Sequence, residues 1–195
     1  MPIDHSHLCQ QYLNRIFPRH VQIKKKSLTH IATSYGEILF PSMEKIIQTI
    51  SFHDHDIFID YGSGLGKIAA QVFLSTPAKA VYGIEIEPEL YESSIRSTNH
   101  IAAELPEFYY PNRKLEFFCG DFLSYPLPNA TIIMVASPCF GLSMINQLAK
   151  RFDEEPNLRY IISLRPIDQM KRLSFKKAIP VQGTWDKALC YIYAP

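Results

Sequence analysis

Cysteine is scarce in this chain and badly spaced for a site. Its four cysteines, Cys9, Cys119, Cys139 and Cys190, share no pair spacing, which argues against a zinc cluster and against a disulfide framework. Three of them sit in apolar stretches and are expected to be buried thiols. A reducing, intracellular setting, cytoplasmic by default, follows. No apolar run approaches the roughly 20 residues of a membrane span, so no membrane partner is expected. The start, Met1 to Asn14, is polar and His-rich and does not read as a signal peptide. One sign of charge does not prevail either: 20 Lys and Arg stand against 19 Asp and Glu, a net +1. No global field therefore draws the protein onto nucleic acid. The run Lys24-Lys25-Lys26 reads first as a solvated face and only second as a nucleic-acid contact. Internal repeats and low-complexity linkers are missing. What remains is 195 residues, 47% hydrophobic and 20% charged, enough for one domain with a sizeable core.

The chain is organised around Asp56 to Leu74. Asp56 to Tyr61 is short, apolar and rich in large residues, and reads as a buried strand. Gly62, Gly64 and Gly66 then crowd one turn. Lys67 to Leu74 follows with Ile68, Ala69, Val72 and Phe73 on one helical face. Strand, glycine turn and helix make the first half of a nucleotide-binding βαβ unit. Glycines let a backbone approach a ligand closely, and the helix N-terminus offers free N–H groups. The spacing is Gly-x-Gly-x-Gly, which departs from the dinucleotide fingerprint. A second strand, Ala80 to Ile86, carries Glu85, where an acid at a strand end can grip ribose hydroxyls. A third strand, Lys114 to Cys119, runs into Gly120-Asp121-Phe122-Leu123.

Around this centre the periodicity places further elements. A short helix is expected over Leu8 to Phe17. Another, over Ser42 to Ile50, has Met43, Ile46, Ile47 and Ile50 on one face and Ser42 as N-cap. Pro88 suits the first turn of a long helix, Glu89 to Leu105. Phe108-Tyr109-Tyr110 reads as packing. A fourth strand, Thr131 to Ala136, leads to Ser137-Pro138-Cys139-Phe140-Gly141. Leu142 to Phe152 is helical, with Ile145, Leu148, Ala149 and Phe152 inward. Arg159 to Leu164 is a fifth strand, and Val181 to Tyr193, with Trp185 as the single tryptophan, reads as a closing antiparallel pair. His53-Asp54-His55-Asp56 alternates metal-ligand types. It lies at the end of the sheet away from the strand C-termini, and no further ligands complete a site.

The glycine turn after Asp60, Glu85 and the Gly-Asp-Phe segment, in that order, resemble the class I S-adenosylmethionine (SAM) methyltransferases. That resemblance implies an α/β, Rossmann-like seven-stranded sheet with helices on both faces and a terminal antiparallel pair. It divides the chain into an N-terminal helical and basic segment, 1–33, and a SAM-dependent methyltransferase domain, 34–195. From about Tyr35 to Tyr193 the chain further resembles the disruptor-of-telomeric-silencing type of histone-lysine methyltransferase. Tyr35-Gly36-Glu37 matches that family's Tyr-Gly-Glu loop. Asp60 to Gly66 matches its glycine motif, and Gly120-Asp121-Phe122-Leu123-Ser124 its Gly-Asp-Phe-Leu-Ser. Phe140-Gly141, Gln147-Leu148, Arg151-Phe152 and Arg165-Pro166 follow its spacing, and Trp185 to Tyr191 resembles its ending.

The resemblance implies SAM as cofactor. Asp60, Gly62, Ser63 and Gly64 would line its methionine end, Glu85 its ribose, and Asp121 and Phe122 its adenine. Tyr35 and Glu37 would belong to a loop over it. Trp185 and Tyr191 would wall a channel for an incoming lysine beside Phe140. Such a channel disfavours the ammonium and so lowers the lysine pKa from its usual value of about 10.4. It also aligns the amine for transfer. The family's catalytic strand ends Asn-Asn-Phe-Ala-Phe-Gly; here Ala136 and Ser137 stand for the asparagines and Pro138 for the first Phe. Ser137 is the candidate to orient the amine. The family's Thr after Tyr-Gly-Glu is Ile38, and its long basic extension is missing. A protein substrate presenting a lysine is the expected partner. An RNA or small-molecule methyltransferase, and a SAM-binding module without turnover, are the alternatives.

Overall fold

The computed structural model describes residues 5–17, 36–125, 129–136 and 139–195. The expectations placed on Lys24 to Lys26, Tyr35, Ser137 and Pro138 fall outside these residues. Helix α1 (His5–Ile16) and helix α2 (Phe40–Thr49) precede strand β1 (Ile57–Tyr61). Then come α3 (Lys67–Ser75), β2 (Ala80–Glu85), α4 (Pro88–Glu104), a 3-10 turn (Pro106–Tyr109) and β3 (Lys114–Cys119). The chain continues through β4 (Ile132–Val135), α5 (Leu142–Glu154), β5 (Tyr160–Ser163), β6 (Ser174–Gln182) and β7 (Lys187–Ala194).

The strands form one sheet in the order β3-β2-β1-β4-β5-β7-β6. The first five are parallel, and β7 runs antiparallel between β5 and β6. Phe58 and Ile59, consecutive on β1, belong to opposite cores, as period-two alternation requires. One core lies under α1 to α4, the other under α5. Helix α5 buries Ile145, Leu148, Ala149 and Phe152, the four residues its spacing predicts. Each large apolar side chain is worth roughly 1.5–3 kcal/mol on full burial, which docks a helix of marginal intrinsic stability. Helix α1 packs on the opposite layer, with α2 to α4: Leu13 and Phe17 are buried, and Arg15 pairs with Glu104 on α4.

Several expectations are corrected. Helix α2 starts at Phe40, not Ser42; Pro41 occupies its first turn, and the Ser42 hydroxyl accepts the Gln182 N–H at 2.8 Å instead of capping. Helix α1 begins at His5, three residues before the expected start. The closing pair begins at Ser174, since β6 is an edge strand whose first four residues, Phe175 included, are exposed. Of the cysteines only Cys190 is buried; Cys119 is exposed at the end of β3 and Cys139 is exposed in the turn before α5, both beyond the core. Tyr110 is 79% exposed, while Phe108 and Tyr109 pack on the core.

Candidate functional site

The turn after β1 adopts backbone that side chains resist. Gly62, Gly64 and Gly66 have φ of 74°, 56° and 85°, the left-handed region that glycine enters freely. Gly62 N–H and Ser63 N–H both donate to Ile84 O, at 2.9 and 3.1 Å, which folds the turn over the end of β2. A Cβ built on Gly62 meets nothing within 4 Å, so this bare backbone faces open space. Helix α3 starts directly behind, with Gly66 as N-cap and no side-chain cap. Its first N–H groups are thus left to another acceptor.

The acids beneath the turn are unusual. Asp60 is 1% exposed, and neither carboxyl oxygen has a hydrogen-bond partner; the Ser63 hydroxyl is equally orphaned. Burial, reinforced by the charge of Glu85, pushes the Asp60 pKa up to about 8. An unpaired buried carboxylate is costly, and the group neutralises itself rather than stay charged. Glu85, by contrast, accepts Gly64 N–H at 2.7 Å and Glu87 N–H at 2.8 Å. Burial raises its pKa while these amides oppose the rise. Each of its oxygens keeps a second lone pair for a hydroxyl donor.

The Gly-Asp-Phe segment forms a turn at the end of β3. Asp121 is exposed and caps it through Leu123 N–H at 2.9 Å. Phe122 turns inward and stacks on Tyr61 at 4.8 Å and 9°, with Phe140 tilted against it at 5.6 Å. Phe122 and Phe140 are therefore core partners of Tyr61. Arg151, on α5, donates to Leu123 O and Tyr125 O and so ties the turn to the helix.

The segment after Tyr35 lies on the β6–β7 hairpin. Glu37 N–H donates to Thr184 Oγ1 at 3.0 Å, and Thr184 N–H returns to Glu37 O at 2.8 Å. Ile38 bridges Gly183, and Leu39 N–H donates to Gln182 O at 2.9 Å. The Glu37 carboxylate pairs with Lys67 Nζ at 2.7 Å, reaching the first residue after the glycine turn. Trp185 packs on Gly36 and Gly183. Tyr191 lies level with Ser163 at the end of β5, its ring 6.3 Å from Phe175. The structure thus gathers Glu37, Asp60, Gly62, Ser63, Gly64 and Glu85, and sets Phe122 with Phe140. It holds Trp185 on the Gly36 side of the hairpin and Tyr191 on the α5 side.

Two contributors escape a reading of the sequence. Lys67 and Thr184 act through partners distant in the chain. Ile86, directly after Glu85, is a large apolar residue left 61% exposed. At the opposite end of the sheet, Asp56 is taken up by Arg159, and the His53 and His55 rings stack at 5.3 Å. Among the described residues no group of three His, Cys, Asp or Glu is placed to hold a metal ion.

This strand order, with a glycine turn after β1 and an acid ending β2, is that of the class I methyltransferases. A magnesium protoporphyrin IX methyltransferase from Synechocystis PCC 6803, solved with bound SAM, superposes with a TM-score of 0.57 at 10% identity, covering 98% of this chain and 97% of that one. A candidate RNA methyltransferase from Pyrococcus horikoshii gives 0.60 at 12% identity, covering 100% and 98%. These likenesses show the fold.

The family is narrower. The model of the histone methylation protein DOT1 matches residues 12–180, and the chain belongs to that family. The H3 lysine-79 specific histone-lysine N-methyltransferase of Cryptococcus neoformans var. neoformans serotype D is 25% identical over 155 residues, 76% of this chain and 24% of that protein. Its counterpart in Mycosarcoma maydis is 29% identical over 140 residues, 68% of this chain and 17% of that protein. The chain spans about a quarter or less of the length of these relatives.

Proposed function

We propose that this chain is a SAM-dependent protein-lysine N-methyltransferase. The observation that carries the cofactor reading is Asp60, a buried carboxyl group with both oxygens unpartnered, beneath a turn whose bare Gly62 faces open space. That arrangement asks for a ligand with a positive centre and, at Glu85, for hydroxyl donors. SAM has both, in its ammonium and sulfonium groups and its ribose diol. When bound it supplies an activated methyl group on sulfur. Family membership supports lysine as the acceptor.

The chain's own groups then take these roles. Asp60, Gly62, Ser63 and Gly64 hold the methionine end, and Glu85 accepts from the ribose. Asp121 meets the adenine on a turn that Phe122 anchors to Tyr61. Glu37, with Tyr35, belongs to the loop that closes over the ligand. The acceptor is approached by Tyr191 from the α5 side of the hairpin and by Trp185 from the Gly36 side, with Phe140 packed behind on Phe122, and Ser137 orients the amine. An apolar channel keeps the lysine neutral and in line, so no general base is required. All these residues lie in 34–195, which we infer is the methyltransferase domain, with α1 as a buttress outside it.

The relatives are named for histone H3, and core histones are the first acceptors to try. We propose action inside the cell, in chromatin or cytoplasm as the acceptor dictates. Among the described residues no helix is long and apolar enough to cross a membrane. The test is transfer of label from SAM into core histones and a whole-cell extract, followed by hydrolysis to amino acids. Label recovered as methyl-lysine supports the proposal. Label confined to RNA or small molecules, or SAM binding without turnover, overturns the lysine reading.

A further inference from the structure

Gly36 and Gly183 flank one indole. A Cβ on Gly36 would sit 2.4 Å from Trp185 Cε3, and one on Gly183 would sit 2.6 Å from Cε2 and Cζ2. Gly183 does not have the positive φ found in the turn after β1. The space taken by the indole demands glycine at both positions. The two segments that clasp the indole are far apart in sequence, the Glu37–Thr184 contact spanning 147 residues. Two main-chain hydrogen bonds, Thr184 N–H to Glu37 O and Leu39 N–H to Gln182 O, form the Ile38–Gly183 bridge between them, and Glu37 N–H adds a third bond to the Thr184 hydroxyl. From Glu37 the connection continues through its carboxylate to Lys67, at the start of α3. Trp185 itself remains 36% exposed, so the indole has a side left for another molecule.

We propose that Trp185 is a positioning residue for the cofactor, coupling the acceptor side of the site to the SAM side through Gly36, Glu37 and Lys67. The inference rests on the SAM reading above and assigns the tryptophan more than a channel wall. Pressure on the exposed side of the indole is passed to Gly36, and a ligand that orders Glu37 orders the hairpin in return. Such coupling is reciprocal by thermodynamic necessity.

Trp185 is the single tryptophan of the chain, so emission excited near 295 nm reports this one side chain. SAM titrated into the wild-type protein without any acceptor is expected to change that emission along its binding curve. By calorimetry, Trp185→Ala should weaken SAM affinity about tenfold, within the range of ordinary coupling energies, while Trp185→Phe restores most of it. Thr184→Val, which removes one hydrogen-bond acceptor and no packing, should weaken SAM about fivefold, the scale of one such bond. Gly36→Ala should also weaken SAM, and should cost much less when Trp185 is already Ala, since neighbours in contact are non-additive. A merely structural tryptophan would lower the melting temperature but leave the affinity of the folded fraction alone. If wild type binds SAM while Trp185→Ala and Thr184→Val bind it equally well, the coupling is wrong and the SAM reading stands. If wild type shows no SAM binding, the SAM reading fails and takes the coupling with it.

Discussion

Asp56 directly precedes the buried strand β1 and Asp60 lies near its end, and the two have opposite fates. Asp56 is 0% exposed and fully satisfied: Arg159 Nη1 bonds both of its oxygens at 2.6 and 2.8 Å, Thr131 Oγ1 donates at 2.8 Å, and the His53 amide at 2.7 Å. Burial alone would raise its pKa, yet these donors outweigh it and hold the group below the usual carboxylate range. Asp60 is as deeply buried and has nothing. The difference tracks the ends of the sheet. Before β1 the chain gives Asp56 its own donors; near the end of β1 it leaves both oxygens of Asp60 without one. An unpaired group that a fold tolerates is expected where a ligand completes it.

The largest effect should come from the satisfied end. Arg159→Ala leaves the Asp56 charge buried without its partner, and breaking such a pair costs about 3–5 kcal/mol. Urea unfolding measures this, and SAM affinity of the folded protein should not change. Because the Asp56 pKa is lowered on folding, its contribution is present above the unfolded value of about 4 and is lost as pH falls below it. The variant should therefore lose the acid-dependent part of its unfolding curve. A cost under about 1 kcal/mol, the scale of a surface ion pair, would erase the contrast between the two aspartates.

Asp60→Asn should do the reverse. Its folded pKa of about 8 lies above the unfolded value, so the folded, ligand-free state keeps a proton that the unfolded chain releases. Stability then falls as pH rises from about 4 toward 8, by at most about 1.4 kcal/mol per unit, and levels off above. The amide has no such proton. Asp60→Asn should remain as stable at pH 8 as at pH 5, gaining on wild type across that interval, while its SAM binding is lost. Equal pH slopes for the two proteins would show that Asp60 is paired after all.

A smaller effect is expected where glycine serves packing. A Cβ on Gly83 would sit 2.4 Å from the Phe117 ring, and one on Gly66 2.5 Å from its Cζ. Gly83→Ala overpacks this contact and should cost about 1–3 kcal/mol, readable as a lowered melting temperature.

How much of this was legible beforehand follows the range of the interactions. The β1–turn–α3 unit and the inner face of α5 are local patterns, and they read correctly from periodicity. The start of β6 was missed because Ser174 to Lys177 is an exposed edge with a register shift between Phe175 and Lys177, which breaks the alternation. Ser42 looked like a cap, but its hydroxyl serves Gln182, 140 residues away. The Asp56–Arg159 pair spans 103 residues, and nothing in either local segment announces it. Phe122 and Asp121 could be placed at the site by resemblance, but that the ring turns inward onto Tyr61 depends on the assembled sheet.

The last consequence is the finest and separates the two ends most directly. Below pH 8 burial holds Asp60 protonated. A cationic ligand favours the carboxylate, lowering that pKa, so binding should expel the proton into solvent. At pH 7 a group titrating near 8 is about nine-tenths protonated, and close to one proton should leave per SAM bound. Calorimetry in buffers of different ionisation enthalpy measures that number from the dependence of the apparent heat on the buffer. The release should shrink toward zero above about pH 9, where the carboxyl is already ionised. Asp60→Asn cannot contribute it, and Asp56, ionised throughout this range, adds nothing. A buffer-independent heat at pH 7 would mean that the ligand's positive centre lies away from Asp60, and that the orphaned carboxyl is satisfied by something other than SAM.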